Sequence, residues 1–336
     1  MTHSNLRLTV VSPIGFSLVQ VITDLSVAPW PGERTVLTIG VYDGIHVGHR
    51  TVISQVRERA RKEGAKSVVV TFDRHPLTVV RPDAAPRLLA NIDQKIELLE
   101  ATGIDAVVVV PFDDAQAHES PVDFIERVLV RALGTKVVIV GSDFHFGHMR
   151  QGNVTLLREM GERHDFVCDP VVLVPRADGV DEPVSSTAIR RALAGGEIDT
   201  ATRMLGRPYE VRGTVVSGDQ RGRTIGFPTA NVEIPHGMCM PSDGVYAGLY
   251  TRPDGSQYAT AINLGRRPTF YEHQDASLLE AYLMDFSGDL YGEAASVQFL
   301  SFLRSEKQFG GIDELRAQLQ HDIEHARQAV RARTGK

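Results

Sequence analysis

The chain has 336 residues, 42% of them hydrophobic and 23% charged, with a formal net charge of -6. That length exceeds what one average core supports comfortably, so two domains are expected, and the negative balance leaves no overall basic field for nucleic-acid binding by counterion release. Cys168 and Cys239, the 2 cysteines, lie far apart without metal-ligand spacing, which indicates neither a disulfide framework nor a zinc site and favours a reducing cytoplasm. The N-terminus lacks a basic stretch leading into an apolar core, and no apolar run approaches the roughly eighteen residues needed to span a bilayer. An unexported, cytoplasmic protein without a membrane partner is therefore expected.

From Arg34 to Lys136, valine-rich apolar runs alternate with longer charged segments of helical period. The runs are Thr35 to Val41, Ser67 to Phe72, Ala106 to Val110 and Val137 to Val140; between them lie Val47 to Glu63, Asn91 to Thr102 and Pro121 to Leu133. Strands apolar on both faces and separated by helices make a parallel sheet covered on both sides, with ligands at the carboxyl ends of the strands. Three unusual stretches fall at such ends: Gly40-Val-Tyr-Asp-Gly-Ile-His-Val-Gly-His49, Thr71-Phe-Asp-Arg-His-Pro76 and Gly141-Ser-Asp-Phe-His-Phe-Gly147.

The first of these turns on glycine from a strand into a helix, a geometry that offers backbone N–H groups and a positive dipole end to a phosphate. His46 and His49 lie three residues apart and stack on one helix face if the helix has begun by His46. Gly-x-Gly-x-x-Gly and Gly-x-x-x-x-Gly-Lys loops are both absent from this turn. Two histidines beside a phosphate site suggest donors placed where charge grows during phosphoryl displacement; a pair of surface or metal-binding residues is the plainer alternative. Farther on, Ser185-Ser-Thr-Ala-Ile-Arg-Arg191 opens a helix running to about Ala194. Its hydroxyls read first as an N-cap, and they and Arg190 also suit a triphosphate.

Near Gly206 the texture changes to short alternating segments, Tyr209 to Val216, Gly244 to Tyr250, Tyr258 to Asn263 and Leu278 to Met284, punctuated by glycine, proline and aspartate. That pattern predicts an antiparallel barrel or sandwich. Leu315, Leu319, Ile323, Ala326 and Val330 form the stripe of a final helix that closes against it. Within the second half, Arg221-Gly-Arg-Thr-Ile-Gly-Phe-Pro-Thr-Ala-Asn231 reads as a turn-rich loop on composition alone. Thr229 and Asn231 can also supply oxygen ligands to a magnesium ion carrying substrate phosphates. Glu280 is a carboxylate in an otherwise apolar run of strand character, a costly placement unless it is paired or works as a base.

Gly40 to His49 resembles the signature of the nucleotidylyltransferase superfamily. With Phe-Asp-Arg-His-Pro, Gly-x-Asp-Phe-x-Phe-Gly and Ser-Ser-Thr-x-x-Arg following in order, the first half is similar to the adenylyltransferase half of the bacterial bifunctional riboflavin kinase/FAD synthetase family. The resemblance implies that His46 and His49 hold and polarise the α-phosphate of ATP, with Gly40, Asp43, Gly44 and Gly48 at the nucleotide. It also implies that Ser186 and Arg190 contact phosphates and that Asp143, where the family often has asparagine, sits at the same crevice. Phe72, Asp73 and His75 shape the flavin side, or serve as a cap and strand-end packing. The second half is similar to the riboflavin kinase domain through Gly222 to Asn231, Gly244-Val-Tyr-Ala247, Asn263-Leu-Gly-Arg-Arg-Pro-Thr269, Leu290-Tyr-Gly292 and Leu303 to Phe309. There the likeness implies Mg-ATP bound by Thr229 and Asn231, backbone approach at Gly222 and Gly226, Glu280 as base, and Arg304 with Glu306 in a flavin-side flap.

The expected fold class is α/β: a Rossmann-like nucleotidylyltransferase domain with a parallel sheet over residues 16–205, and a small antiparallel β-barrel of riboflavin kinase type with a terminal helix over 206–336. The expected chemistry is riboflavin to FMN at the barrel and FMN to FAD at the first domain, with Mg2+, ATP, riboflavin and FMN as the small-molecule set. Two alternatives stand beside it: a barrel that only binds flavin and regulates, and a first domain that acts on a different phosphate-bearing acceptor. Assembly into a homo-oligomer is left open by the sequence.

Overall fold

A computed structural model describes residues 19–172, 174–218, 222, 225–266 and 277–335. Residues 16–18, Arg221, Arg223, Thr224, Arg267, Pro268 and Thr269, all invoked above, lie outside that description. Two compact units divide between Val184 and Ser185.

In the first unit the elements run β1 (Gln20–Ile22), β2 (Thr35–Ile39), α1 (Val47–Glu63), β3 (Lys66–Phe72), α2 (Leu77–Val80), α3 (Ile92–Glu100), β4 (Ala106–Val110), α4 (Asp114–His118), α5 (Pro121–Phe124), β5 (Thr135–Gly141), β6 (His145–Phe146), β7 (Gly152–Asn153), α6 (Val154–His164) and β8 (Val167–Val171). Beyond α5 the chain continues helically as a wider π-type stretch, Ile125–Ala132. Six strands form one parallel sheet in the order β1-β4-β3-β2-β5-β8. One apolar layer packs Ile53, Val56 and Ala60 of α1 and Leu99 of α3 on one face; a second packs Ile125, Val128, Leu129, Leu157 and Met160 on the other. Burial on both faces is why β2 to β5 read as continuous valine-rich runs rather than alternating ones.

That strand order places the site. From β2 the chain winds outward through β3 to β4, then crosses back to lay β5 on the opposite side of β2. The loops leaving β2 and β5 therefore diverge, and the crevice between their carboxyl ends is the switch point where open α/β sheets bind ligands. Gly40 to His49 follows β2 and Ser142 to Gly147 follows β5.

The second unit begins with α7 (Ser186–Ala194) and α8 (Ile198–Leu205), followed by β9 (Tyr209–Val216), β10 (Ala230–Glu233), β11 (Gly244–Thr251), β12 (Gln257–Arg266), β13 (Ser277–Leu283), β14 (Ala294–Arg304) and α9 (Ile312–Thr334). α8 packs on β9 and β14, which groups both helices with the barrel although the change of sequence texture comes later, at Gly206. Gly206 itself ends α8 in the left-handed conformation. The strands close a barrel in the order β10-β13-β12-β11-β14-β9, with every pair antiparallel. Asn231, read at sequence level as a loop residue, is the second residue of β10, because the ladder with β9 and β13 captures the end of that loop. β14 does alternate over its first half, with Ala295, Val297 and Phe299 buried between the less buried Ser296 and Gln298, although the sequence segments above do not include it.

Candidate active sites

The chain leaves β2 through a turn held from below. Gly40 N–H donates to Val70 O at 3.0 Å, and the Thr71 hydroxyl donates to Val41 O at 3.0 Å. Tyr42, Gly44 and Ile45 take positive φ of 51°, 80° and 40°. For tyrosine and isoleucine that is a strained backbone, tolerated where surrounding packing over-determines it. Both side chains are buried, and the Tyr42 and Thr38 hydroxyls share a hydrogen bond of 2.6 Å. Burial pushes the Tyr42 phenol well above its ordinary range, so it stays protonated.

His46 is the N-cap of α1: its backbone is extended, and its Nδ1 accepts from the His49 N–H at 3.3 Å. The His46 and His49 rings stack with centroids 3.5 Å apart and 18° between planes, so the two imidazoles meet although the helix begins only at Val47, after His46. A Cβ at Gly48 would stand 3.2 Å from His46 Nδ1, so the capping ring depends on a bare α-carbon there. No acidic residue occupies the first turn of α1, leaving the positive helix end uncompensated by its own side chains. Burial first, then the His46 and Lys95 charges, hold the His49 imidazole well below its ordinary range, and it is neutral at pH 7. The arrangement offers imidazole rings and a helix N-terminus to an anion at the carboxyl end of β2.

Asp43 is a buried member of this turn. It is 3% exposed and accepts from Leu89 N–H at 2.9 and 3.1 Å and from Ala90 N–H at 3.1 Å, so its carboxylate pins a distant loop. Lys95, which the sequence reading passed over, is buried on α3 and donates to Phe72 O at 3.1 Å, at the end of β3. Burial lowers its ammonium to about 8, opposed by the negative charges of Asp43 and Asp73. Its signal was a lysine within the apolar stripe Ile92, Lys95, Leu99. Asp143 is exposed on the loop after β5, its carbonyl accepting from His145 Nδ1 at 2.8 Å. Asp73 accepts from Phe112 N–H at 2.8 Å and pairs with Arg74, while His75 Nδ1 accepts from Leu77 N–H at 3.2 Å, local contacts at the carboxyl ends of β3 and β4 and the start of α2. In the second unit Ser185, one residue ahead of Ser186, caps α7 by accepting from Ala188 N–H at 3.1 Å. Ser186 and Arg190 lie on that helix, Ser186 in its first turn.

A cavity of about 1310 Å³ opens on the barrel unit, and Gly222, Thr229, Asn231, Glu280, Arg304 and Glu306 all line it. Gly226, at φ 89°, lies in the same loop, whose turn is closed by Phe227 N–H donating to Gly222 O at 2.8 Å. Asn231 on β10 stands directly opposite Glu280 on β13. A Cβ on Gly218 would fall 2.3 Å from Asn231 Nδ2, so glycine is what lets the carboxamide lie there. Arg304 donates from Nε and Nη2 to both oxygens of Asp322, at 2.6 to 3.2 Å, and so ties β14 to α9. The final helix divides its stripe: Ala326 and Val330 pack on the barrel, while Leu315, Leu319 and Ile323 also line the cavity. Asn263, quoted above only within a motif, lines it too. Thr229 and Asn231 lie two apart and present neutral oxygens, a donor set that suits a hard cation brought in by phosphates.

Comparison with known proteins gives the same two halves. A family model described as FAD synthetase matches residues 29–188, and one described as riboflavin kinase matches residues 205–330. The bifunctional riboflavin kinase/FMN adenylyltransferase of Haemophilus influenzae is 37% identical over 292 residues, 87% of this chain and 92% of that one. The Escherichia coli K12 protein of the same name is 38% identical over 315 residues, covering 93% and 97%. The chain belongs to the bifunctional riboflavin kinase/FMN adenylyltransferase family. A crystal structure described as a macrolide-efflux protein from Streptococcus pneumoniae superposes with a TM-score of 0.81 at 29% identity, over 92% of this chain and 98% of that one. Among the described residues here, no helix is long and apolar enough to cross a membrane.

Proposed function

We infer that the family's two activities reside in the two halves of this chain: the barrel phosphorylates riboflavin with ATP to give FMN, and the first domain adenylylates FMN with ATP to give FAD and pyrophosphate. Displacement falls on the γ-phosphorus in the first reaction and on the α-phosphorus in the second, which is why two unlike sites are needed. We place the functional boundary near Gly206, with adenylyl transfer assigned to 16–205 and the kinase to 206–336.

In the first domain, the observation that carries the reading is the His46–His49 stack at the N-terminus of α1, on the switch-point side of the sheet. The two imidazoles and the helix end stabilise charge on the α-phosphoryl oxygens as the FMN phosphate oxygen bonds to phosphorus and pyrophosphate leaves. Gly40, Gly44 and Gly48 shape that cradle, Asp43 anchors it, and Asp143 borders it from the loop after β5. The phosphate contacts expected of Ser186 and Arg190 rest on their motif.

In the barrel, the reading rests on Glu280 lining the cavity with Thr229 and Asn231. Glu280 takes the proton of the ribityl 5′-hydroxyl while its oxygen attacks the γ-phosphorus and ADP leaves. Thr229 and Asn231 would hold Mg2+, which supplies charge neutralisation between the phosphates when bound. A barrel built only to bind flavin has no use for a base beside these oxygens.

Purified protein given riboflavin, ATP and magnesium, with FMN and FAD separated over time, tests the assignment. Wild type forms both products. His49→Ala accumulates FMN without FAD, and Glu280→Gln fails on riboflavin yet adenylylates supplied FMN. Loss of both activities in each well-folded variant sinks the claim of two independent centres, and no FAD from FMN and ATP in wild type removes the proposed acceptor.

A further inference from the structure

The barrel register sets three polar side chains in one line. Asn231 on β10 faces Glu280 on β13, and Glu280 in turn faces Asn263 on β12. Directly opposed residues of an antiparallel ladder share a face with Cβ atoms roughly 5 Å apart, so Glu280 is flanked by a carboxamide on each side. Valine ends the row at both limits, Val216 opposite Asn231 on β9 and Val245 opposite Asn263 on β11. All three polar residues line the cavity, and their accessibility rises along the row: Asn231 is buried, Glu280 partly buried, Asn263 exposed. A polar patch three residues wide between valines, inside a cavity walled by Phe227, Tyr282, Leu319 and Ile323, marks where a hydrophilic portion of a mainly apolar ligand rests.

Asn263 has no evident structural duty. Its backbone serves the ladder with β11 and β13, and among the described residues its carboxamide has no hydrogen-bond partner. Exposed asparagine is disfavoured in a strand interior, where its side chain competes for backbone groups. Thr229 and Asn231 occupy the nucleotide side of Glu280 in the reading above, which leaves the Asn263 side to the acceptor. A carboxamide carries two donors and an acceptor on one plane, a match for neighbouring hydroxyls that each donate and accept.

We propose that Asn263 binds the polyhydroxylated chain of the acceptor alcohol, holding it so that its terminal hydroxyl meets Glu280 from the side opposite Asn231. This rests on the kinase reading of the barrel. Asn263 then contributes acceptor affinity and chain recognition, while proton transfer stays with Glu280.

The test uses the full chain with Asn263→Ala and Asn263→Ser, riboflavin, and a riboflavin analogue lacking one internal chain hydroxyl. Two readouts are taken: riboflavin binding by flavin fluorescence without nucleotide, and kinase KM and kcat for each substrate. The expected result for Asn263→Ala is riboflavin affinity weakened about tenfold or more, KM for ATP unchanged within about twofold, and loss of the wild type's preference for riboflavin over the deoxy analogue. Asn263→Ser, which puts one shorter hydroxyl in place of the carboxamide, falls between. Unchanged riboflavin affinity, a change confined to KM for ATP, or preference for the full chain retained in Asn263→Ala overturns the proposal. The fluorescence titration keeps the two readings apart: a wild type that binds riboflavin but makes no FMN defeats the kinase reading, and the binding comparison still decides Asn263.

Discussion

His46 caps the helix that carries His49, and the same ring lies stacked against its partner at 3.5 Å. One side chain thus fixes the start of α1 and forms half of the phosphate-facing pair. The two duties separate by substitution. His46→Asn keeps an N-cap acceptor without the ring, whereas His46→Ala removes both. Thermal or denaturant unfolding is expected to place His46→Ala about 1 kcal/mol below His46→Asn, the usual worth of a cap. FAD formation from FMN falls about a hundredfold or more in both, as loss of one charge-stabilising donor dictates. Full activity in His46→Asn would show that the ring is only a cap.

Asp43 accepts three backbone hydrogen bonds from Leu89 and Ala90, across more than forty positions of sequence. Asp43→Asn retains one acceptor oxygen but turns an amide donor toward the same N–H groups. A stability loss of about 2 kcal/mol is expected, the range for hydrogen bonds to a charged group. Hydrogen exchange localises it: the Leu89 and Ala90 amides should exchange faster in the variant, and unchanged protection there would remove the pinning role.

Lys95 sets the sign of one alkaline effect. Its folded pKa is about 8 against an ordinary value of 10.5. Below pH 8 both folded and unfolded chains carry the charge, and burial costs stability in full. Between pH 8 and 10.5 the unfolded chain binds more protons than the folded one, so stability rises with pH across that window. Relative to Lys95→Met, which has no proton to release, wild type gains on the order of 3 kcal/mol from pH 8 to 10.5. Urea unfolding of both proteins at matched pH measures the difference; a constant gap would contradict the buried ammonium.

Arg304 and Asp322 fasten the middle of α9 to β14 with a two-pronged pair, and the Asp322 side chain is 5% exposed. Arg304→Ala leaves a buried carboxylate without its cation, and a loss of about 3 kcal/mol is expected, the lower part of the range for breaking such pairs. Asp322→Asn should cost less, since no unpaired charge remains. Because Leu315, Leu319 and Ile323 of the same helix line the cavity, riboflavin affinity falls with stability in Arg304→Ala. Unfolding midpoints and flavin fluorescence titrations on both variants check this, and weakened flavin binding without destabilisation would instead make Arg304 a direct ligand contact.

Much of this molecule is fixed by local pattern. Valine runs, helical periods and a strand-to-helix turn with histidines three apart are properties of short stretches, and α1, β4 and β9 occupy the spans that those patterns predict. Family motifs supplied the chemistry that periodicity does not carry. Tertiary structure decided what those motifs touch. Only strand order puts the loops after β2 and β5 at one crevice, and only the closed barrel's register aligns Asn231, Glu280 and Asn263. Periodicity tells which face of an element is apolar but not what covers it, so the α9 stripe reads as packing although Leu315, Leu319 and Ile323 within it line a cavity. Burial of Lys95 and Asp43 is likewise set by chain segments distant in sequence, and a charged residue carries no local mark of such company.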